Sequence, residues 1–433
     1  LLNSIQVNDE VRHARGIMTS VDAKISRPLW KLAGGDASLA IGAEWRRERT
    51  NFNPSALLLS DNINNDAAPE GGRATENKRN VAGIYTEVLL PFATEWEAQI
   101  ALRHDHYQGV GGANSPKLGL RYQPAKAWLF RGSVGAGFRA PSMSDLYRPT
   151  VYSSTATLPD PVSCKNNDND LAVCADNWDT RRYSNANLKP EHSQQLTLGA
   201  VFEPTQHLSL SLDYWRIKRT DVIGEIGDDI ILGNLKKYGD LVHRNEDGDI
   251  DYIELRKANR GSQIASGLDL GIELRGYKTA YGEFSARMLG TLMLDSKIQT
   301  NTGDEFVSNL GKFVTDGVVQ RWRHRLSLNW EKGPWAMTLA NTYFSGYDDQ
   351  NSAINVDNGT VVAANRVKAY SIWDWSGSYE LNKQVTLRAG IQNLANTSPP
   401  YSNQANFFIS GYDPSYTDPR GRYFYMSAQY KFK

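Results

Sequence analysis

Trp178, Arg181, Arg182 and Tyr183 sit close together in the longest polar stretch of the sequence, and they are the residue types that grip an anionic, partly planar ligand. Guanidinium forks match carboxylate or phosphate oxygens, and aromatic rings offer their faces to apolar groups, sugars or cations. Two later stretches add Tyr347 beside Asp348 and Asp349, and then Phe407, Phe408 and Tyr412. The same aromatics would serve equally well in an interfacial girdle or as packing between loops, so both readings stand. Cys164 and Cys174, the two cysteines, share one Asn/Asp-rich stretch, a spacing suited to a small loop disulfide in an oxidising compartment.

Metal and catalytic chemistry find less support. D-G-D-I-D-Y-I-E at Asp247–Glu254 resembles a calcium loop, but it lacks the full twelve-residue ligand spacing. A hairpin turn between the strand-like segments Leu241–Asn245 and Tyr252–Arg256 explains its Asp-Gly pair. His104 and His106 share a strand face with Trp96, Ile100 and Leu102, which is a membrane-boundary pattern. There is no G-x-S-x-G elbow, zinc-helix motif or phosphate loop. We expect no catalytic residue, metal site or cofactor.

Whatever holds these side chains must be β-structure. Gly421–Lys433 alternates without a fault, with Phe424, Met426, Ala428, Tyr430 and Phe432 on one face and Tyr423, Tyr425, Ser427, Gln429 and Lys431 on the other. A strand sends successive side chains to opposite sides, so this segment has one oily wall and one wet wall. The pattern recurs at roughly 16–31, 36–48, 78–91, 94–107, 114–123, 126–138, 191–203, 206–219, 262–277, 281–298, 318–331, 334–346, 366–381, 384–395 and 421–433. So many half-buried strands exceed what one soluble sheet hides easily. A closed barrel with lipid outside and water inside accommodates them all.

The connections alternate too. Short turns fall near Ala33–Asp36, Phe92–Thr94, Gln123–Lys126, Glu203–Gln206, Thr279–Tyr281, Glu331–Pro334 and Leu381–Lys383. Long polar loops lie between them, at about 49–77, 139–190, 220–261, 299–317, 347–365 and 396–420, with 108–113 the one short outer connection. Outer-membrane barrels have short periplasmic turns and long extracellular loops. A soluble β-sandwich has no reason to sort loop length by end.

Composition agrees. The chain has 48 basic and 48 acidic residues, so net charge gives no case for nucleic acid. Mean hydropathy is −0.51 and no long apolar run occurs, which leaves no transmembrane helix but does not exclude strands. Twenty-one Tyr, 13 Phe and 11 Trp are enough for two girdles. The chain opens Leu-Leu-Asn without a leader, and about fifteen strands is odd where single-chain barrels are even. We expect the C-terminal part of a longer barrel.

Five segments, in order, resemble the barrel of TonB-dependent outer-membrane receptors: L-A-I-G-A-E-W-R-R-E at Leu39–Glu48, G-A-G-F-R-A-P-S-M-S-D-L-Y at Gly135–Tyr147, N-L-K-P-E-H-S at Asn187–Ser193, A-S-G-L-D-L at Ala265–Leu270 and G-I-Q-N-L-A-N-T-S-P-P-Y at Gly390–Tyr401. Ser427, Tyr430 and Phe432 resemble the C-terminal signal read by the barrel assembly machinery, although Ser stands where Gly is usual and Lys433 follows the final aromatic. The resemblance implies an all-β transmembrane antiparallel barrel, of which residues 1–433 form about the last fifteen of 22 strands. It also implies an N-terminal plug that is not in this chain, and a preceding segment that engages the TonB–ExbB–ExbD complex. The expected role is uptake of a scarce small molecule across the outer membrane of a Gram-negative bacterium, a ferric siderophore first. Carbohydrate, cobalamin or peptide transport and a passive plugless channel are the alternatives. Arg321, Arg323 and Arg325 face the lumen by alternation and are expected to dock the plug or pair with carboxylates such as Asp269 and Glu273.

Overall fold

The structure, a computed structural model, describes residues 6, 8–60, 74–314, 317–349, 354–355, 360–361, 365–403 and 411–432. All the expected strands are present, in sequence order. They are β1 Arg12–Leu32, β2 Gly35–Pro54, β3 Thr75–Leu90, β4 Trp96–Tyr107, β5 Gly111–Ala125, β6 Trp128–Arg139, β7 Glu191–Thr205 and β8 Leu208–Thr220. The remainder are β9 Ser262–Thr279, β10 Gly282–Ile298, β11 Trp322–Lys332, β12 Trp335–Phe344, β13 Tyr370–Glu380, β14 Val385–Gln392 and β15 Tyr423–Tyr430. Each pairs antiparallel with its neighbours in one continuous sheet, and Val307–Ser308 adds a short extra edge to β10. Among the described residues β1 and β15 do not pair with each other.

The outward face is apolar because the sequence alternation fixes it. In β8, Leu212 lies between Ala200 of β7 and Leu270 of β9. Ser211, one step away, faces Gly271 on the other side of the sheet. Ile84, Leu118, Val134, Leu198 and Leu212 stand exposed on the outer surface, where lipid replaces a protein core. At the short-turn end an aromatic belt closes the apolar band. Its ring centroids run Phe92–Trp96 6.1 Å, Trp96–Tyr122 4.1 Å, Tyr122–Phe130 6.2 Å, Trp128–Phe130 5.7 Å and Trp128–Phe202 4.2 Å. His104 and His106 sit on this outward face near its far border, as their neighbours Ile100 and Leu102 require.

Two turns show why glycine ends these strands. A Cβ on Gly34 would lie 2.0 Å from the Ala93 carbonyl oxygen of the adjacent turn. Gly333 takes φ +55° between β11 and β12, a left-handed conformation that side chains resist.

The inner face is polar and mostly paired. Glu44 binds Arg46 at 3.0 Å and Arg103 at 2.8 Å. Glu48 binds Arg46 at 2.8 Å and Arg79 at 2.7 Å. Asp105 holds Arg103 at 2.6 Å, and the Tyr107 hydroxyl accepts from Arg46 at 2.8 Å. Arg79 also donates to the Pro141 carbonyl at 2.6 Å, which ties this wall network to the root of the longest outer loop.

For the arginine row on β11, the expected pairing with Asp269 and Glu273 is not seen. Arg323 and Arg325 do face the lumen, beside Asp269 and Thr291, but Asp269 accepts from the Thr291 hydroxyl at 2.7 Å and Glu273 pairs with Arg275 at 2.9 Å. Among the described residues neither Arg323 nor Arg325 has a carboxylate at ion-pair distance. The reason is register: Arg323 stands directly across from Thr291 and Phe344, and Arg325 from Leu289 and Thr342.

Candidate functional site

The long loops fold over the outer end of the sheet into a layer with its own core. Val151–Pro159, Ala175–Tyr183, Val242–Arg244 and Ile250–Arg256 form a four-stranded sheet drawn from two different loops. Residues 250–256 run parallel to 175–183, so the loops 139–190 and 220–261 are stitched by backbone hydrogen bonds. Ile231, Leu232, Tyr238, Ile250, Ile253 and Leu255 are buried beneath, packed by Leu158 and Trp178. Asp247–Glu254 is the turn and second strand of a hairpin. Gly248 sits at φ +88°, and Asn245 Oδ1 accepts from the Asp247 and Asp249 amides. Among the described residues no group of three or more His, Cys, Asp or Glu is placed to hold a metal.

The opposite face of this loop sheet carries a ladder of rings and one cation. The Arg181 guanidinium lies 3.6 Å from the centroid of Tyr252 and 5.8 Å from that of Tyr152. The imidazole of His243 stacks on Tyr252 at 4.2 Å. Strand pairing forces the arrangement, because Tyr152 faces Arg181 and His243 faces Tyr252 in register. Tyr152, Tyr147 and Arg148 also line a cavity of about 530 Å3 between this loop root and the outer ends of β1–β3.

The residues singled out in the sequence divide on the structure. Trp178 is half-buried against the loop core and its indole N–H donates to the Leu158 carbonyl at 2.8 Å. Arg182 donates to Glu225 at 2.6 Å, and Arg256 stacks over Tyr183 at 4.9 Å. Arg181 is the member whose guanidinium has no carboxylate partner among the described residues. Tyr347 is fully buried, its hydroxyl 3.5 Å from Asp413 and its ring 6.3 Å from Tyr416. Burial pushes its phenol up to about 12, and the ring is packing between loops rather than an open contact surface. Tyr412 is half-buried in the same region, and Phe407 and Phe408 lie outside the described residues. Tyr152 and Tyr252 were missed by sequence reasoning. An antiparallel pairing within loop 139–190 brings Tyr152 to Arg181, and the parallel pairing between distant loops brings Tyr252, and no local pattern announces either.

Cys164 and Cys174 are bonded to each other, both sulfurs buried, and they clip two short helices, Pro161–Asn166 and Leu171–Cys174, at the loop tip. Closing so short a loop stabilises it by about 2–3 kcal/mol in the chain-entropy model. Neither thiol should alkylate in purified protein before reduction. Labelling of both without reductant would remove the clip from this account.

The family-like motifs are where loops join the wall. Arg139 binds Glu191 through Nε at 2.9 Å and Nη2 at 2.8 Å, and Glu191 Oε1 accepts the Ile223 amide at 2.7 Å. Ser142 and Asp145 form a reciprocal cap on the helix Met143–Tyr147. Burial pushes the Asp145 carboxyl up, but the Ser142 amide and hydroxyl with Lys257 and Arg139 bring it below the usual range. In the motif near the C-terminus Asn393, at φ +50°, ends β14 three residues before the sequence pattern does. Its side chain closes a turn on Thr397 through bonds of 2.7 and 2.8 Å. Tyr430 and Phe432 meet edge to face at 4.9 Å on the outward side of the last strand.

A one-sheet wall, oily outside and ion-paired inside, with long loops folded at one end and an aromatic belt at the other, is a transmembrane β-barrel. The chain belongs to the TonB-dependent receptor family: its residues 5–394 match the family described as TonB dependent receptor-like, beta-barrel. It is 22% identical over 405 residues to the ferric enterobactin receptor PirA of Pseudomonas aeruginosa, covering 91% of this chain and 47% of that protein. Its fold is similar to that of the ferric enterobactin receptor PfeA of Pseudomonas aeruginosa, solved as a mutant in complex with enterobactin. The TM-score is 0.69 at 19% identity, over 97% of this chain and 55% of that one. It is also similar to the siderophore receptor PirA of Acinetobacter baumannii, with TM-score 0.68 at 17% identity, over 99% and 56%. The chain thus spans about half the length of these relatives.

Proposed function

We propose that this chain supplies most of the barrel wall and the outer loops of an outer-membrane receptor that takes up a ferric siderophore. The carrying observation is Arg181, held between Tyr152 and Tyr252 without a carboxylate, on the loop face that continues into the cavity at Tyr152. A guanidinium flanked by two π faces suits an anionic aromatic ligand, and the similarity to ferric enterobactin receptors supports the same class. In this reading an N-terminal plug fills the lumen and engages the TonB–ExbB–ExbD complex. Residues 1–433 are the C-terminal part of one barrel domain, inserted into outer-membrane lipid by the assembly machinery through Ser427, Tyr430 and Phe432. Ligand must favour one loop or plug arrangement over another for a signal to reach the periplasm.

Changing Arg181 and Arg182 together to Ala should weaken ferric siderophore binding roughly tenfold or more, on the usual worth of a charge-assisted hydrogen bond, with barrel assembly intact. Arg181→Ala alone should give most of that loss, since Arg182 is already spent on Glu225. The stacked rings also support a second ligand, an oligosaccharide. Growth of a deletion strain on chelated iron against glycan-limited medium separates the two, and a defect on glycan alone removes the siderophore. A full-length protein that never binds the periplasmic TonB domain, with or without ligand, would count against the transport cycle itself.

A further inference from the structure

We propose that His243 is a positioning residue for Arg181, acting through Tyr252, and that its protonation strengthens the capture of an anionic ligand on this loop face. This rests on the uptake reading above and deepens it to the regulation of that same site.

Each strand of the loop sheet gives one member to the ladder. In sheet order these are His243 from Val242–Arg244, Tyr252 from Ile250–Arg256, Arg181 from Ala175–Tyr183 and Tyr152 from Val151–Pro159. The His243 ring lies 4.2 Å from the Tyr252 ring with 14° between their planes, and the Arg181 guanidinium lies 3.6 Å from the same Tyr252 centroid. The strand of Tyr252 runs between the other two, so imidazole and guanidinium take opposite faces of the phenol ring. Tyr252 cannot swing away from Arg181 without breaking the stack on its far side. The imidazole thereby holds the seat on which the guanidinium rests.

The same imidazole has an unfinished contact. Its Nε2 is shielded from solvent without a hydrogen-bond partner among the described residues, and it lies 3.6 Å from Glu254 Oε2. A shielded nitrogen left unpaired is costly, and a second ring proton turns this approach into a charge-assisted pair. Tyr252 and Glu254 face the imidazole from the paired strand, Arg181 lies beyond the phenol ring, and Arg256 holds Glu254 Oε1 at 2.8 Å. Arg244, next on its own strand, is committed to Asp160. Histidine is the residue type whose charge changes between pH 5 and pH 8. On the acid side of that change the ladder carries a cation on each side of Tyr252 instead of on one. Both consequences favour an anion: the face gains a unit charge, and Glu254 is drawn from Arg256 toward the imidazolium. One unit charge within a screening length of an anion is worth roughly fivefold in affinity at a surface dielectric. The response is one of charge, and the loop sheet stays paired throughout.

The test measures binding of ferric enterobactin by the full-length protein in detergent at about pH 8 and about pH 5.5, the two sides of the histidine charge change. Proton uptake by the probe itself is common to every variant, so the reading is the ratio of affinities at one pH. His243→Ala should bind several-fold more weakly than the wild type at both. His243→Phe restores a ring on Tyr252 but takes no proton. It should recover most of the affinity lost in His243→Ala at the alkaline pH, and the wild type should then pull ahead of it by roughly fivefold in acid. Heat-modifiable migration on gels confirms that each variant is folded. A ratio of wild type to His243→Phe that stays constant with pH, or equal binding by His243→Ala and the wild type, would overturn the proposal. Arg181→Ala separates the two readings. If it binds like the wild type, the Arg181 site and this inference fall together. If it binds weakly while the ratio to His243→Phe is constant, only the role of His243 falls.

Discussion

Leu212→Arg should destabilise the folded barrel by about 2–4 kcal/mol, while Ser211→Arg, one residue away, should be close to neutral. Leu212 is exposed on the outer surface, within the outward apolar stripe of β8 that runs Leu208, Leu210, Leu212 and Tyr214. A guanidinium there must be desolvated in hydrocarbon or drag water into it. Ser211 opens instead into a lumenal cavity of about 540 Å3 whose lining includes Asp269, which has no cationic partner among the described residues, and Asp213, which is held by Arg131, so an arginine finds water and a carboxylate. Denaturant unfolding in lipid vesicles, read by the heat-modifiable band, gives both numbers. If the two variants lost stability equally, the inward and outward faces of the wall would have to be reassigned.

That contrast was legible in the sequence because a strand's period is two and lipid and water sit on opposite sides. Leu208, Leu210 and Leu212 against Ser209, Ser211 and Asp213 admit only one facing. The fifteen strands and the sorting of loop lengths follow from the same rule. Strand ends were less legible, because they are set by side chains outside the alternation. Asn393 stops β14 by turning left-handed onto Thr397. Arg366–Val367, which continues the alternating pattern, leaves the wall to pair with Tyr347–Asp348 in the loop layer.

The proposed ligand surface was half legible. Sequence proximity put Trp178, Arg181, Arg182 and Tyr183 together, but neighbours on a strand point to alternate faces, so Trp178 went to the loop core and Arg181 to the ring ladder. Which cations remain available is decided by partners from other loops: Glu225 for Arg182, and no carboxylate for Arg181 among the described residues. Such pairings depend on how loops far apart in sequence dock, and alternation within one segment carries no information on that. The lumenal arginines repeat the lesson. Their facing was readable, while their supposed partners Asp269 and Glu273 were claimed by Thr291 and Arg275.

Arg244→Ala should release the loop layer from the barrel end while the barrel itself stays folded. Arg244 comes from the loop 220–261 and grips Asp160 of the loop 139–190 through both terminal nitrogens, each at 2.7 Å. Asp160 is almost fully buried, and its own amide donates to the Cys174 carbonyl at 2.9 Å, so the pair fastens the second loop to the disulfide-clipped tip. Removing the cation leaves a buried carboxylate held by the Val162 and Ser163 amides without a counter-charge, a change that costs about 3–5 kcal/mol in comparable buried pairs. Replacing both partners, Asp160→Asn with Arg244→Leu, should cost much less, because no unpaired charge is left behind. Protonation should do part of what the mutation does. Burial pushes the Asp160 carboxyl up, but the Arg244 fork and the Val162 amide outweigh it and hold it below the usual range. A carboxyl depressed in the folded state stabilises fully above its unfolded value near pH 4, and that contribution is lost as pH falls through the folded value. Limited proteolysis should therefore leave the wild-type loops resistant and unchanged from about pH 8 to pH 5 and cut them only below about pH 4. In Arg244→Ala the same sites should be cleaved at neutral pH, with the heat-modifiable barrel band unaltered. Loops that stayed resistant in that variant would show that the backbone pairing of residues 175–183 with 250–256 holds the layer without the ion pair.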